Sequence, residues 1–294
     1  MVGAVLLFLL ISARGVASTY TDFLWFDSLA ITGVWKGVTV TQVVLVLIFG
    51  LVFFVAALAS LIVADRLAPR FRAYGPEDEI VQRYREVMAP YASKFRIAVA
   101  AVLALLAGLP VATQWRSWLL FRNSVPFGTK DPEFGLDVSF FVFRLPFWRF
   151  VVDWTFMSLV LIILVTVVAH YLNGGIRLPQ SPIERVTPRV KAHVSVLLAL
   201  LALSRAAGYW FDRYGLLYST RGVVDGAGYT DANWKLPGLN LLVFVSLVAF
   251  GLFLVNIWRK GWALPAIGVG LWLLLAIVVG AIIPALVQQF SVKP

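Results

Sequence analysis

Fifteen carboxylates and two histidines are nearly all the acid–base and metal-binding capacity of this 294-residue chain, because it has no cysteine. Thiolate catalysis, thiolate metal sites and disulfides within the chain are thereby excluded. Asp131, Glu133 and Asp137 crowd one hydrophilic stretch. They supply oxygen ligands for a hard cation, or they cap turns and helix starts. Asp225, Asp231 and Asn233 repeat the choice in a second stretch. The glycines beside them, Gly222, Gly226 and Gly228, resemble a phosphate cradle, but the lysine and helix start of a P-loop are missing, so nucleotide binding is rejected. His170 and His193 offer two imidazoles for a metal or a pH response. With no third ligand in view, they read as interface residues. No catalytic, cofactor-binding or metal-binding constellation emerges, and the chain does not read as an enzyme.

Long apolar runs position these residues. They cover 2–18, 39–64, 97–113, 156–171, 194–203, 239–257 and 263–287, in a chain that is 61% hydrophobic and 14% charged. Each reaches, or with its flanks nearly reaches, the ~20 residues that carry a helix across a hydrocarbon core of about 30 Å. In lipid every backbone N–H and C=O needs a partner within its own segment, which dictates helices. The expected fold is all-α: a polytopic membrane helical bundle of seven transmembrane helices, with amphipathic interfacial helices in the loops. Spans are expected at about 2–19, 39–64, 96–113, 149–171, 191–208, 238–257 and 263–287. The first lacks a basic leader and reads as a span rather than a signal peptide.

Loop charges set the expected orientation. The 65–96 loop carries Arg66, Arg70, Arg72, Arg83, Arg85, Lys94 and Arg96; with Arg177, Arg185, Arg189, Lys191, Arg259 and Lys260 its side holds 13 basic residues against 11 opposite. The positive-inside rule then places the N-terminus in the cytoplasm and the C-terminus outside. The net charge of +10 is assigned to loops meeting anionic lipid, not to nucleic acid. Trp25, Trp35, Trp115, Trp118, Trp148, Trp154, Trp258 and Trp262 lie near span ends and read as headgroup-level anchors.

Within the inner loop, Pro76 and the acids after it start a helix whose face Ile80, Val81, Tyr84, Val87 and Met88 suits a membrane surface or a partner helix. In the outer 114–147 loop, the apolar stretch 138–143 is too short to cross, so it is expected to be re-entrant, interfacial or covered by another domain. Arg14 and Asp153 are the ionisable groups expected at membrane depth, and an ion pair between them is the expectation. Small residues recur every fourth position at Ala56, Ser60 and Ala64 and at Ala100, Ala104, Gly108 and Ala112, which predicts close helix approach.

Two signatures in the loops resemble one family. Asp131-Pro132, Phe134-Gly135, Asp137, Phe140, Phe143 and Leu145-Pro146-Phe147, with Gly226-Ala227-Gly228-Tyr229-Thr230-Asp231 and the upstream Leu24-Trp25-Phe26-Asp27, are similar to the UPF0182 family of bacterial membrane proteins. Phe141 stands where the family often has Tyr. The resemblance implies seven spans followed by a large extracytoplasmic domain that is absent from this chain. It supplies no catalytic roles. Some members are encoded near a membrane-anchored PDZ protease, which implies a shared complex. The expected function is an anchor or scaffold in the bacterial cytoplasmic membrane, homo-oligomeric, surrounded by membrane lipids, presenting an extracytoplasmic assembly and confining or regulating such a protease or other envelope proteins. The alternative is a transporter or lipid-handling protein.

Overall fold

The computed structural model describes the backbone of residues 2–68, 89–176, 186–220 and 225–292, with side chains from 13 to 290 apart from residue 89. All regular structure among the described residues is helical, broken only by two isolated bridges, Lys130 with Asp137 and Ile176 with Val186. The helices are α1 (Val2–Ser28), α2 (Thr32–Arg66), α3 (Ala92–Gly108), α4 (Trp115–Arg122), α5 (Leu145–Leu172), α6 (Pro188–Gly215), α7 (Leu236–Arg259), α8 (Ala263–Ile277) and α9 (Ile283–Val287). Among the described residues, six continuous segments are long and apolar enough to cross a membrane: Thr32–Arg66, Ala92–Arg122, Phe140–Leu172, Pro188–Tyr218, Asp231–Arg259 and Ala263–Phe290. α1 precedes them as a seventh long helix of 27 residues. The amphipathic helix expected over 76–88 lies outside the described residues.

Prolines explain where these rods change their winding. α3 continues into α4 through a tighter 3-10 segment, Leu109–Gln114, that contains Pro110. Three wide turns, Phe140–Arg144, Asp231–Lys235 and Val278–Ile282, each end two residues before a proline, namely Pro146, Pro237 and Pro284. A proline lacks an N–H, and its ring collides with the carbonyl four residues back. Widening the turn removes that collision. Leu145, Leu236 and Ile283, just ahead of the prolines, donate their N–H groups to carbonyls five residues back, on Phe140, Asp231 and Val278. Such π turns keep a helix continuous where a strict α register would break. The fourth wide turn, Gln288–Val292, is likewise followed two residues later by Pro294.

This corrects the expectation for 138–143. The segment does not re-enter as a separate piece: residues from Phe140 onward are the first turn of the rod that becomes α5. The first loop is also shorter than the aromatic pattern suggests. α1 runs on to Ser28 and α2 begins at Thr32, so Trp25 and Trp35 sit on helices. Ala30 takes a left-handed φ of 58° in the turn between them.

α2 packs on α3 and α5, α5 on α6, α6 most extensively on α7, and α7 on α8; α1 packs mainly on α2. One buried cluster joins Phe53, Ala57 and Leu61 of α2 to Ala100 and Ala104 of α3, Ile162 of α5 and Leu197 of α6. A second joins Ala199 of α6 to Ala249 and Phe253 of α7. The small-residue stripes do bring α2 and α3 together, with one change of phase. Ala56 faces outward, and Ala57, Ser60 and Ala64 are the buried set. Of the apolar window in Ala263–Phe290 only 6% is buried, although one face of that helix packs on α7 through Pro265 and Gly268.

Two helix backbones come close at Gly108. A Cβ there would lie 3.0 Å from the Cα of Gly50 and 3.2 Å from the carbonyl oxygen of Val46, both rigid backbone. A Cβ on Gly50 would meet nothing nearer than 3.7 Å. Gly108→Leu is therefore expected to lower the thermal midpoint in detergent, at a cost of about 1–3 kcal/mol from overpacking, whereas Gly50→Ala leaves the midpoint close to wild type. Equal tolerance of both would remove the close-approach account.

Candidate functional site

Two polar centres stand out, one at each end of the bundle. At the end formed by Arg66, Leu172 and Pro188, four side chains from three helices form a buried chain of polar contacts. His170 Nε2 on α5 is 3.0 Å from His193 Nδ1 on α6, with the rings at 80°. Ser60 Oγ on α2 lies 3.4 Å from His193 Nε2 and 2.6 Å from Thr166 Oγ1 on α5. His170 and Thr166 have no exposure at all. Unpaired polar groups are expensive in an apolar medium, so these residues satisfy one another across helix boundaries. A neutral imidazole has one N–H donor and one bare acceptor. If His170 Nε2 donates to His193, then His193 Nε2 donates to Ser60, and Ser60 to Thr166. That direction leaves His170 Nδ1 a bare acceptor, consistent with its having no protein partner. Gly175 closes the chain from outside: its N–H donates to the His170 carbonyl, and a Cβ would strike Val190 Cγ2 at 2.7 Å.

Beside this chain, Asp65 accepts a 2.7 Å hydrogen bond from Asn173 Nδ2 and pairs with Arg96, uniting the ends of α2, α3 and α5. Asn256 does the same for α6 and α7. It is 1% exposed, donates to Ser195 Oγ at 2.8 Å and to the Gly261 carbonyl at 3.2 Å, and accepts from the Gly261 N–H at 3.1 Å. That clamp holds the turn in which Lys260 adopts a left-handed φ of 53°. Among the described residues no group of three His, Cys, Asp or Glu is arranged to hold a metal ion.

The opposite end gathers the signature loops. Asp137 is a backbone clamp. Its carboxylate accepts N–H groups from Ser139 (2.8 Å), Phe127 (3.1 Å) and Gly128 (2.9 Å). A side-chain hydrogen bond from Ser139, then these backbone donors, hold its pKa down at about 2, from an ordinary 3.8; hydrogen bonds to the charged form favour ionisation. Asp131 accepts from the Glu133 and Phe134 N–H groups, at 3.0 and 2.7 Å, just before Gly135 turns the chain with φ 66°. Both carboxylates are thus engaged in turn geometry. Pro132 lies between Asp131 and this turn and is exposed. Phe134, Phe140 and Phe141 pack edge-on around Tyr214 of α6. Tyr218 Oη donates to the Phe141 carbonyl at 2.7 Å. Arg144 Nε donates to Ser124 Oγ at 3.0 Å.

In the other signature, Thr230 and Asp231 are each 2% exposed. Thr230 Oγ1 donates to Gln288 Oε1 at 2.7 Å, tying the start of the α7 rod to the last helical turn. Asp231 Oδ2 accepts a 3.3 Å bond from the Gly228 N–H, and Gly226 turns with φ 123°. Tyr229 points outward, 60% exposed, and its carbonyl accepts from Asn233 Nδ2 at 3.1 Å.

Arg14 and Asp153 form no ion pair among the described residues. Arg14 lies at the middle of α1, because that helix continues to Ser28, and both side chains are exposed. The ion pair at this end joins Arg149 of α5 to Asp212 of α6 at 3.2 Å. Arg205, on the same helix as Asp212, lies 4.1 Å over the Tyr209 ring. Arg149 and Arg205 are among the 11 basic residues counted on this side as loop charges, although both fall in expected spans, 149–171 and 191–208. Their aromatic neighbours at helical spacing, as in Tyr209, Trp210 and Tyr214, are the signal that this stretch stays helical. The indole N–H of Trp154 donates to the Ala107 carbonyl at 3.0 Å, tying α5 to α3.

Because the folded pKa of Asp137 lies below its unfolded value, the clamp is complete above about pH 4 and is lost as pH falls through about 2. Amide hydrogen exchange of Gly128 and Ser139 is expected to lose protection across that interval in wild type. Asp137→Asn is expected to lack this acid transition and to show low protection at neutral pH. An unchanged exchange pattern in that variant would refute the clamp.

The model of the family described as "Uncharacterised protein family (UPF0182)" matches residues 1–294. A UPF0182 protein of Frankia alni is 45% identical over 273 residues, covering 93% of this chain and 26% of the relative. One from Streptomyces coelicolor is 38% identical over 283 residues (95% and 28%), and one from Salinispora tropica 40% identical over 298 (100% and 30%). The chain therefore spans under a third of the length of these curated relatives. No solved structure matches it. Matched end to end by the family model and carrying both loop signatures on ordered turns, the chain belongs to the UPF0182 family.

Proposed function

We propose that this chain is the membrane anchor of an extracytoplasmic assembly, seated in the bacterial cytoplasmic membrane by seven spans, with its N-terminus inside and its C-terminus outside. One observation carries the reading: the 123–147 segment is tied down by Asp131, Asp137, Tyr218 and the Arg144–Ser124 bond into a fixed platform. A platform fixed this way loses little conformational entropy when a partner settles on it. Apolar side chains stand out from its surface, with Val125 63% and Phe127 51% exposed. The partner is the remaining length of the full protein together with further copies or an envelope protein, a membrane-anchored PDZ protease among them. The basic loops and the exposed helix faces support placement among anionic membrane lipids.

A second reading, lipid handling or transport, draws on a groove of about 580 Å³ that opens between α2, α5 and α6. The first reading is favoured because Asp131 and Asp137 serve the backbone of their turns, and among the described residues no group of three His, Cys, Asp or Glu is arranged to hold a metal ion.

Full-length protein in nanodiscs is expected to have a particle mass above that of one copy, and Asp137→Ala combined with Phe127→Ala is expected to shift it toward the single-copy mass. A strictly monomeric, partner-free wild type would contradict the anchor reading.

A further inference from the structure

The groove between α2, α5 and α6 has a charged mouth and a greasy floor. Its deep end is walled by Ala56, Leu159 and Leu200, and Arg189 and Lys260 stand at the other end, with His193 between. From Leu200 to Arg189 is eleven residues of α6, about 16 Å at 1.5 Å per residue. That matches one leaflet, half of a hydrocarbon core of about 30 Å. Among the described residues no carboxylate lines the groove. Its mouth lies where the N-terminus of α6 meets the C-terminal ends of α2 and α7, so the helix dipoles oppose one another there and the positive charge comes from Arg189 and Lys260. The backbone of Lys260 is also fixed. Its left-handed backbone is held by its own N–H, which donates to the Asn256 carbonyl at 2.7 Å, and by the buried Asn256 side chain clamping Gly261. A non-glycine residue kept in that conformation marks a position that its surroundings determine.

We infer that this groove is a binding site for one anionic phospholipid. Its phosphate lies between Arg189 and Lys260, and one acyl chain runs down the groove past His193 to Leu200. The volume of about 580 Å³ falls within the roughly 300–1,000 Å³ of small-molecule sites, and basic pockets between helices at one membrane face are suited to anionic headgroups. The inference does not rest on the anchor reading: a strictly monomeric protein would keep this site.

The test is native mass spectrometry of the full-length protein, delipidated in detergent and offered phosphatidylglycerol or phosphatidylcholine of identical chains. Two basic groups near the phosphate are expected to give a roughly ten- to thirtyfold preference for phosphatidylglycerol. Arg189→Gln with Lys260→Gly is expected to reduce the preference to within about twofold. Glycine accepts a left-handed φ freely, so an unchanged melting midpoint of Lys260→Gly alone separates loss of charge from loss of fold. Leu200→Trp, at an exposed position of the groove wall, is expected to weaken retention of both lipids. Glycerol phosphate at equal concentration is expected not to displace the bound lipid. Equal retention of the two lipids by wild type, an undiminished preference in the charge variant, or displacement by glycerol phosphate would each overturn the site.

Discussion

Lipid offers no hydrogen bonds, and that constraint shapes every level of this molecule. Each peptide group at membrane depth has to find its partner along its own rod. The chain therefore tolerates a proline within a long rod only by rewinding the adjacent turn. Pro146, Pro237 and Pro284 each follow a π turn, and Pro110 sits in a 3-10 segment. Rods that stay continuous deliver the loop signatures to one end of the bundle in fixed orientation, and this is what lets Phe141 meet Tyr218 across 77 residues of sequence.

The same constraint organises the side chains. Ser60, Thr166, His170 and His193 come from three helices and are apolar-facing positions by location, yet each carries a polar group. They close into a chain because no alternative partner is at hand, and in doing so they fix how α2, α5 and α6 approach. Asn256 applies the rule to α6 and α7 through Ser195. With these helices pinned at one end, the groove beside them has Arg189 and Lys260 in its lining.

Much of the fold was legible in composition because burial in lipid needs only hydrophobicity and length. The run 39–64 sits inside α2, 239–257 inside α7, and the stripe Ala100, Ala104, Gly108 on the face that meets α2. The boundaries were less legible. The 19–28 stretch looks like a loop because Thr19, Thr21 and Asp22 are polar, yet it continues α1; Thr19 and Thr21 return their hydroxyls to carbonyls four residues back. Phe140–Arg144 looks like an isolated apolar patch because proline reads as a break, and a π turn is invisible to a 3.6-residue period. Of the candidate sites, the turn role of Asp131 and Asp137 was legible from the neighbouring Pro and Gly. The meeting of His170 with His193, and of Arg149 with Asp212, was not, because each depends on the register between two helices.

The central claim is that one end of this bundle, with its signature loops, faces away from the cytosol, and the other end, with its basic groove, faces into it. The direct measurement is labelling by a membrane-impermeant maleimide of single substitutions Lys130→Cys and Arg259→Cys in this chain, which has no cysteine of its own. Lys130→Cys is predicted to react on intact cells whose outer barrier has been removed, and Arg259→Cys only after the inner membrane is opened. Reaction of Arg259→Cys on sealed cells, with Lys130→Cys protected, would contradict the account.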